Sequence, residues 1–187
     1  MGSVLDLHCH LLAAVDDGPA DPASGLALVT ELRRQGVESA VTTPHLLSPR
    51  FAADGLEAMI ADAWLRLQEQ AATVGLRVFL GSENHCSGQL DPEAFAQAAR
   101  PLGDGPCVLV ELPDDHLPGR AWASCFAVVR RGRRPVLAHP ERCRGLRGDD
   151  DGLAAFITSG GLLQITAGHV AGTVSYTHLT LPTNREV

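Results

Sequence analysis

No apolar run in this sequence is long enough to span a bilayer, and its start lacks the charged and apolar regions of a secretory signal. Membrane insertion and export are therefore not expected. Cysteine is sparse and unpaired: five residues, at positions 9, 86, 107, 125 and 143, with no Cys-x-x-Cys spacing. An odd, scattered set argues against a disulfide framework and for reduced thiols, so the expected compartment is the cytoplasm. Positive charge is also short, 15 Lys and Arg against 22 Asp and Glu, for a net charge of -7. This excludes the electrostatic footprint that nucleic acid or an anionic membrane surface requires. The run Arg130-Arg131-Gly132-Arg133-Arg134 is too short and isolated to change that, and reads as a solvated helix end.

What is present suits one domain of ordinary size, or most of a larger one: 187 residues, 45% of them hydrophobic, can bury a real core. Asp21-Pro22 offers an N-cap followed by proline at the first helical position, and Gly36 ends the helix it opens. Val37 to Thr43 then reads as a strand running into Pro44-His45. A long helix over Leu56 to Val74, closed by Gly75, precedes the strand Leu76 to Gly81, which delivers Glu83. The alternation continues through a helix near Pro92 to Ala99, a strand Cys107 to Leu112, a helix near Ala121 to Arg131 and a strand Pro135 to Ala138 ending in His139. A helix near Gly152 to Thr158 and a strand Leu162 to Thr166 follow. Six strands alternating with five helices predict an α/β fold, a parallel sheet with helical crossovers.

Candidate ligands fall at one kind of place in this pattern. In Leu5-Asp6-Leu7-His8-Cys9-His10-Leu11, a strand period of two puts Asp6, His8 and His10 on one face, and Leu5, Leu7, Cys9 and Leu11 on the packing face. Two imidazoles side by side on a rigid strand make half of a divalent-metal site. His45, Glu83, Glu111 and His139 stand at strand C-terminal ends, where a β/α barrel collects its catalytic groups. With Asp17 they complete a nitrogen and carboxylate set, His8, His10, Asp17, His45, Glu83, Glu111 and His139, suited to two or three bridged ions. Asp6 is a candidate to orient one histidine through its second nitrogen. His85 is a weaker candidate to face the site, and His116 and His169 are expected in solvated loops.

Taken in order, Leu5-Asp6-Leu7-His8-Cys9-His10, Asp16-Asp17-Gly18, Thr43-Pro44-His45, Gly81-Ser82-Glu83, Val110-Glu111-Leu112-Pro113, Ala138-His139-Pro140-Glu141-Arg142 and Gln164-Ile165-Thr166-Ala167-Gly168 resemble the PHP-domain (polymerase and histidinol phosphatase) superfamily. Within it the set is similar to the bacterial tyrosine-protein phosphatases of capsular and exopolysaccharide synthesis loci. The resemblance covers residue 4 to about 173. It implies a distorted, seven-stranded β/α barrel and a multinuclear centre, often of manganese, with iron or zinc as alternatives, that hydrolyses phosphotyrosine. It further implies that Arg142 contacts the substrate phosphate, which its planar donor fork suits. The implied partner is a phosphotyrosine protein, a polysaccharide-assembly tyrosine kinase. Such a centre needs no enzyme nucleophile, because water activated by the ions attacks phosphorus in line.

Three other readings compete. Cys125-Phe126-Ala127-Val128-Val129-Arg130-Arg131 matches the Cys-x5-Arg pattern of thiol phosphatases, but its bulky apolar residues read as helix rather than a phosphate-cradling loop. A PHP-type small-molecule phosphoesterase, histidinol-phosphatase-like, would use the same ligands, and a non-catalytic metal-binding module would stop at binding. Asp-Asp-Gly and Thr-Pro-His favour the tyrosine phosphatase. From Val174 the chain reads Val-Ser-Tyr-Thr-His-Leu-Thr-Leu-Pro-Thr, an in-frame translation of the transposon-end adaptor used in sequencing-library preparation. Residues 1–173 are therefore read as the phosphatase domain and 174–187 as a non-native tail, outside fold reasoning. The family's Asp-x-His ligand pair near the C-terminus has no counterpart, since no Asp follows Asp151 and His178 has Tyr176 two residues before it. The expectation is a barrel open after about six strands, a centre short of two ligands, a poorly packed tail and reduced activity.

Overall fold

The structure, a computed structural model, describes residues 4–166, so the expectations for His169, His178 and the 174–187 tail lie outside the described residues. The described chain forms two compact units, one of residues 4–84 and 100–105, the other of 85–99 and 106–166. Both are α/β, with parallel strands; among the described residues no closed barrel is formed.

In the first unit, β1 (Val4–Cys9), β2 (Val37–Thr42) and β4 (Arg77–Leu80) make a parallel sheet in the order β1-β2-β4. Helices α1 (Pro22–Arg34) and α2 (Leu56–Val74) connect them. α1 starts as its sequence dictates: the Asp21 carboxylate accepts from the Ser24 N–H, and Pro22 occupies the first turn. α2 stops at Gly75, whose φ of 68° lies in the left-handed region that glycine enters without a Cβ penalty. The core gathers Leu11, Leu12, Val29, Ile60 and Leu67, all at most 2% exposed. Leu5 and Leu7 do not join it. Each is 50% exposed, contrary to the packing face expected of β1. β1 is a sheet edge, and its contribution to the core begins only at Cys9 and continues in Leu11 and Leu12, beyond the strand.

Two short strands absent from the expected six change the layout at the site. β3 (His45–Leu46) and β5 (Glu83–His85) pair in parallel, His45 opposite Glu83 and Leu46 opposite Asn84. Pro44 has no N–H to continue the ladder of β2, so the chain restarts pairing one residue later. After β4, Gly81 allows a close approach that a side chain would block: a Cβ there would lie 3.0 Å from Val41 Cγ1 and 3.2 Å from Leu102 Cα.

In the second unit, β6 (Cys107–Glu111), β7 (Arg134–Ala138) and β8 (Leu162–Gln164) pair in parallel, with Ile165 and Thr166 outside the last strand. Helices α3 (Pro92–Ala98), α4 (Ala121–Arg130) and α5 (Asp150–Thr158) accompany them. The arginines at the end of α4 and just after it are mostly exposed, as a solvated helix end should be: Arg130 and Arg131 pair with the exposed Glu93, and Arg133 and Arg134 donate to the carbonyls of Ala99 and Gly160. Among the described residues no helix is long and apolar enough to cross a membrane.

Candidate metal centre

In the first unit, five of the predicted ligands meet. β1 carries His8; it ends at Cys9, so His10 stands just past the strand. β3 brings His45 opposite Glu83 of β5. The Glu83 side chain is 1% exposed, and one of its oxygens, Oε2, is 3.3 Å from His8 Nε2, 3.3 Å from His10 Nε2 and 3.3 Å from His45 Nδ1. A single oxygen has too few lone pairs for three ring donors, and 3.3 Å exceeds the roughly 2.7–2.9 Å of charge-assisted N–H···O bonds. Three imidazoles gathered on one buried carboxylate oxygen are a nitrogen and carboxylate donor set that suits a divalent cation. Asp17 closes the other side: its Oδ1 is 3.6 Å from His10 Nδ1 and 3.5 Å from His45 Nε2. His10, Asp17 and His45 each offer one ligand atom, all within 4.8 Å of one another. The residues present fit the ions the sequence resemblance implies.

Asp16, which sequence reasoning passed over in favour of Asp6 and Asp17, is 1% exposed in its side chain. Its Oδ2 lies 2.8 Å from His10 Nδ1 and accepts the His45 backbone N–H at 3.0 Å, while Oδ1 accepts the Gly18 N–H at 3.0 Å. Burial would raise the Asp16 carboxyl, but the bond and charge of His10 and the two backbone donors hold it below the ordinary value. For His10 burial works downward, yet the hydrogen bonds and charges of Asp16 and Glu83 outweigh it and push the imidazole up to about 10. Asp6, expected to orient an imidazole, accepts the backbone N–H of His8 at 3.1 Å.

His45 has a further support. Phe51 stacks on its ring with centroids 4.6 Å apart and planes 8° from parallel, and the Arg50 guanidinium lies 4.9 Å over the Phe51 ring.

Glu111 and His139 belong to the second unit, at the ends of β6 and β7. Glu111 Oε2 lies 2.8 Å from His85 Nδ1, so His85 serves a candidate ligand. His139 is buried at 6% exposure and has a φ of 32°, the left-handed region, at the turn from β7 into Pro140-Glu141-Arg142. Such strain in a non-glycine residue gathers at functional sites. Arg142 is exposed and, among the described residues, makes no ion pair. Glu141 Oε1 instead accepts the Thr166 N–H, and Asp149 is engaged by the Trp122 indole and the Gly152 N–H. The rival thiol site fails on geometry: Cys125 lies within α4, is fully buried, and burial raises its thiol far above the reactive range.

The family described as "Capsular polysaccharide synthesis, CpsB/CapC" matches residues 4–181. This chain belongs to the CpsB/CapC family. It is 30% identical over 169 residues to the tyrosine-protein phosphatase YwqE of Bacillus subtilis, covering 90% of this chain and 66% of that protein. It is 28% identical to the tyrosine-protein phosphatase CpsB of Streptococcus pneumoniae, over 90% of this chain and 69% of that one. It is also 27% identical to the putative tyrosine-protein phosphatase CapC of Staphylococcus aureus. The chain thus spans 66% of the length of YwqE and of CapC, and 69% of that of CpsB. The crystal structures of YwqE and of S. pneumoniae CpsB, described as unique metal-dependent tyrosine phosphatases, provide a match with a TM-score of 0.77 at 30% identity, over 90% of this chain and 68% of the solved one. CpsB/CapC membership and the fold likeness agree with the resemblance drawn from the spaced motifs.

Proposed function

We propose that this chain is a metal-dependent protein-tyrosine phosphatase acting in capsular or exopolysaccharide synthesis, with a polysaccharide-assembly tyrosine kinase as its phosphotyrosine partner in the cytoplasm. The observation that carries the reading is the buried Glu83 oxygen ringed by three imidazoles, in a CpsB/CapC chain. His8, His10, Asp17, His45 and Glu83 would hold the cations, with Glu111 and His139 as further ligands. Manganese is the proposed ion. When bound, the cations supply activated water and offset charge on the phosphoryl oxygens. The fold proposed is the distorted β/α barrel of the resemblance, left open in this chain after about six of its seven strands, with 1–173 as its domain and 174–187 outside it.

The chain's own residues do the rest. Glu83, 1% exposed, keeps its carboxylate out of bulk water, where its attraction for cations is screened least. Asp17, 44% exposed, is the candidate ligand in most contact with solvent. Arg142, exposed and without an ion pair among the described residues, presents a planar fork that matches two phosphate oxygens. Binding and orienting the phosphoryl group against the centre lowers the barrier by positioning and charge stabilisation.

The test compares turnover of a phosphotyrosine peptide with that of histidinol phosphate, with added Mn2+ and with excess EDTA. Mn2+-dependent turnover of the peptide, abolished by EDTA and by His139→Ala, is expected. A preference for histidinol phosphate would make the chain a small-molecule phosphoesterase. Metal binding without turnover of either would make it a binding module, and full activity in EDTA would overturn the metal reading altogether.

A further inference from the structure

We infer that Asp16 is a positioning residue that fixes two ligands of the centre at once, and that Asp16-Asp17-Gly18 works as one device; this rests on the metal reading above. A carboxylate buried to 1% exposure is costly unless every lone pair it turns inward has a partner. Asp16 has three partners, and they are not arbitrary. Oδ2 takes both the His10 ring, at 2.8 Å, and the backbone N–H of His45, at 3.0 Å. His10 follows β1 and His45 opens β3, so one oxygen ties together two chain segments 35 residues apart in sequence.

The ring contact has a chemical consequence. A carboxylate beside Nδ1 requires a proton there, which leaves Nε2, 3.3 Å from Glu83 Oε2, as the His10 nitrogen with a lone pair for a cation. The backbone contact holds the start of β3, and with it the ring that Phe51 stacks upon. Gly18 completes the device. Its N–H donates to Asp16 Oδ1, and a Cβ on it would lie 3.0 Å from the His10 carbonyl oxygen, 3.1 Å from Asp16 Oδ1 and 3.2 Å from His10 Cβ. A side chain at this position would force these neighbours to give by a few tenths of an ångström and loosen the turn that presses Asp16 against His10, while Asp17, between them, is left 44% exposed. Adjacent aspartates thus divide the work: Asp17 addresses His45 Nε2 at 3.5 Å, and Asp16 orients the His10 ring and the start of β3.

The experiment uses the full chain and measures Mn2+ affinity by titration calorimetry for the wild type, Asp16→Asn, Asp16→Ala and Asp6→Asn. The expected result is a loss of about 10- to 100-fold for both Asp16 variants, the range for groups that orient metal ligands, and little change for Asp6→Asn. Circular dichroism of the metal-free proteins distinguishes this from unfolding. A second readout does not depend on affinity: in the Zn2+-loaded protein, long-range 1H–15N spectra should show His10 protonated at Nδ1 and metal-shifted at Nε2. Asp16→Asn should lose that signature at His10 while His8 keeps its own. Wild-type affinity in a folded Asp16→Asn, or a wild-type His10 bound through Nδ1, overturns the inference and leaves the metal reading intact. A wild type that binds no Mn2+ overturns both.

Discussion

Glu83 is the residue on which the centre turns, because three imidazoles address one of its oxygens and almost no water reaches it. Glu83→Gln keeps the shape and removes the charge, so Mn2+ affinity should fall at least about 100-fold, beyond the effect of any orienting residue. Isothermal titration reads this directly. Cys125 should be dispensable: Cys125→Ser is expected to leave Mn2+-dependent turnover intact, and the wild-type thiol should resist a thiol reagent until the protein unfolds, since the group is buried in α4. The charged pair predicts a pH profile for the metal-free protein. His10 titrates above its ordinary 6.5, at about 10, so the stability it contributes is complete below about 6.5 and fades as pH rises toward 10. Asp16 is shifted below its ordinary 3.8, so its contribution is present above that value and is lost as pH falls further. Melting temperatures of the metal-free protein should therefore decline from neutral pH to pH 10; a rise over that span contradicts the assignment.

The elements show which signals a sequence carries on its surface. Asp21-Pro22 and Gly75 bracket helices because capping chemistry is local, and the structure starts α1 and ends α2 at those residues. Asp21→Ala should accordingly lower the denaturant midpoint, because the N-cap bond to the Ser24 N–H is lost. The period-two face of β1 was legible only in part: it presented His8 correctly, but whether Leu5 and Leu7 would be covered depends on layers a strand pattern does not encode. β3 and β5, of two and three residues, are too short for any period to register, yet their pairing is what sets His45 opposite Glu83. His45 and Glu83 were legible as polar residues near strand ends that the fold does bring together, whereas Asp16 was not, because its part depends on a contact with His45, 29 residues on.

At the scale of the whole molecule, the proposal that residues 174–187 lie outside the domain is tested at the gene: resequencing the locus is expected to give a frame that departs from this tail at codon 174. Genomic reads that reproduce the tail would refute it. The CpsB/CapC match runs across that point, to residue 181. For the described residues, the central claim is that histidines and carboxylates of distant segments are folded around a cation. Diffraction from Mn2+-soaked crystals, collected at the manganese absorption edge, tests it most directly. The account predicts an anomalous peak within coordination distance of Glu83 Oε2 and His10 Nε2. Full Mn2+ loading with no peak at Glu83 would contradict it.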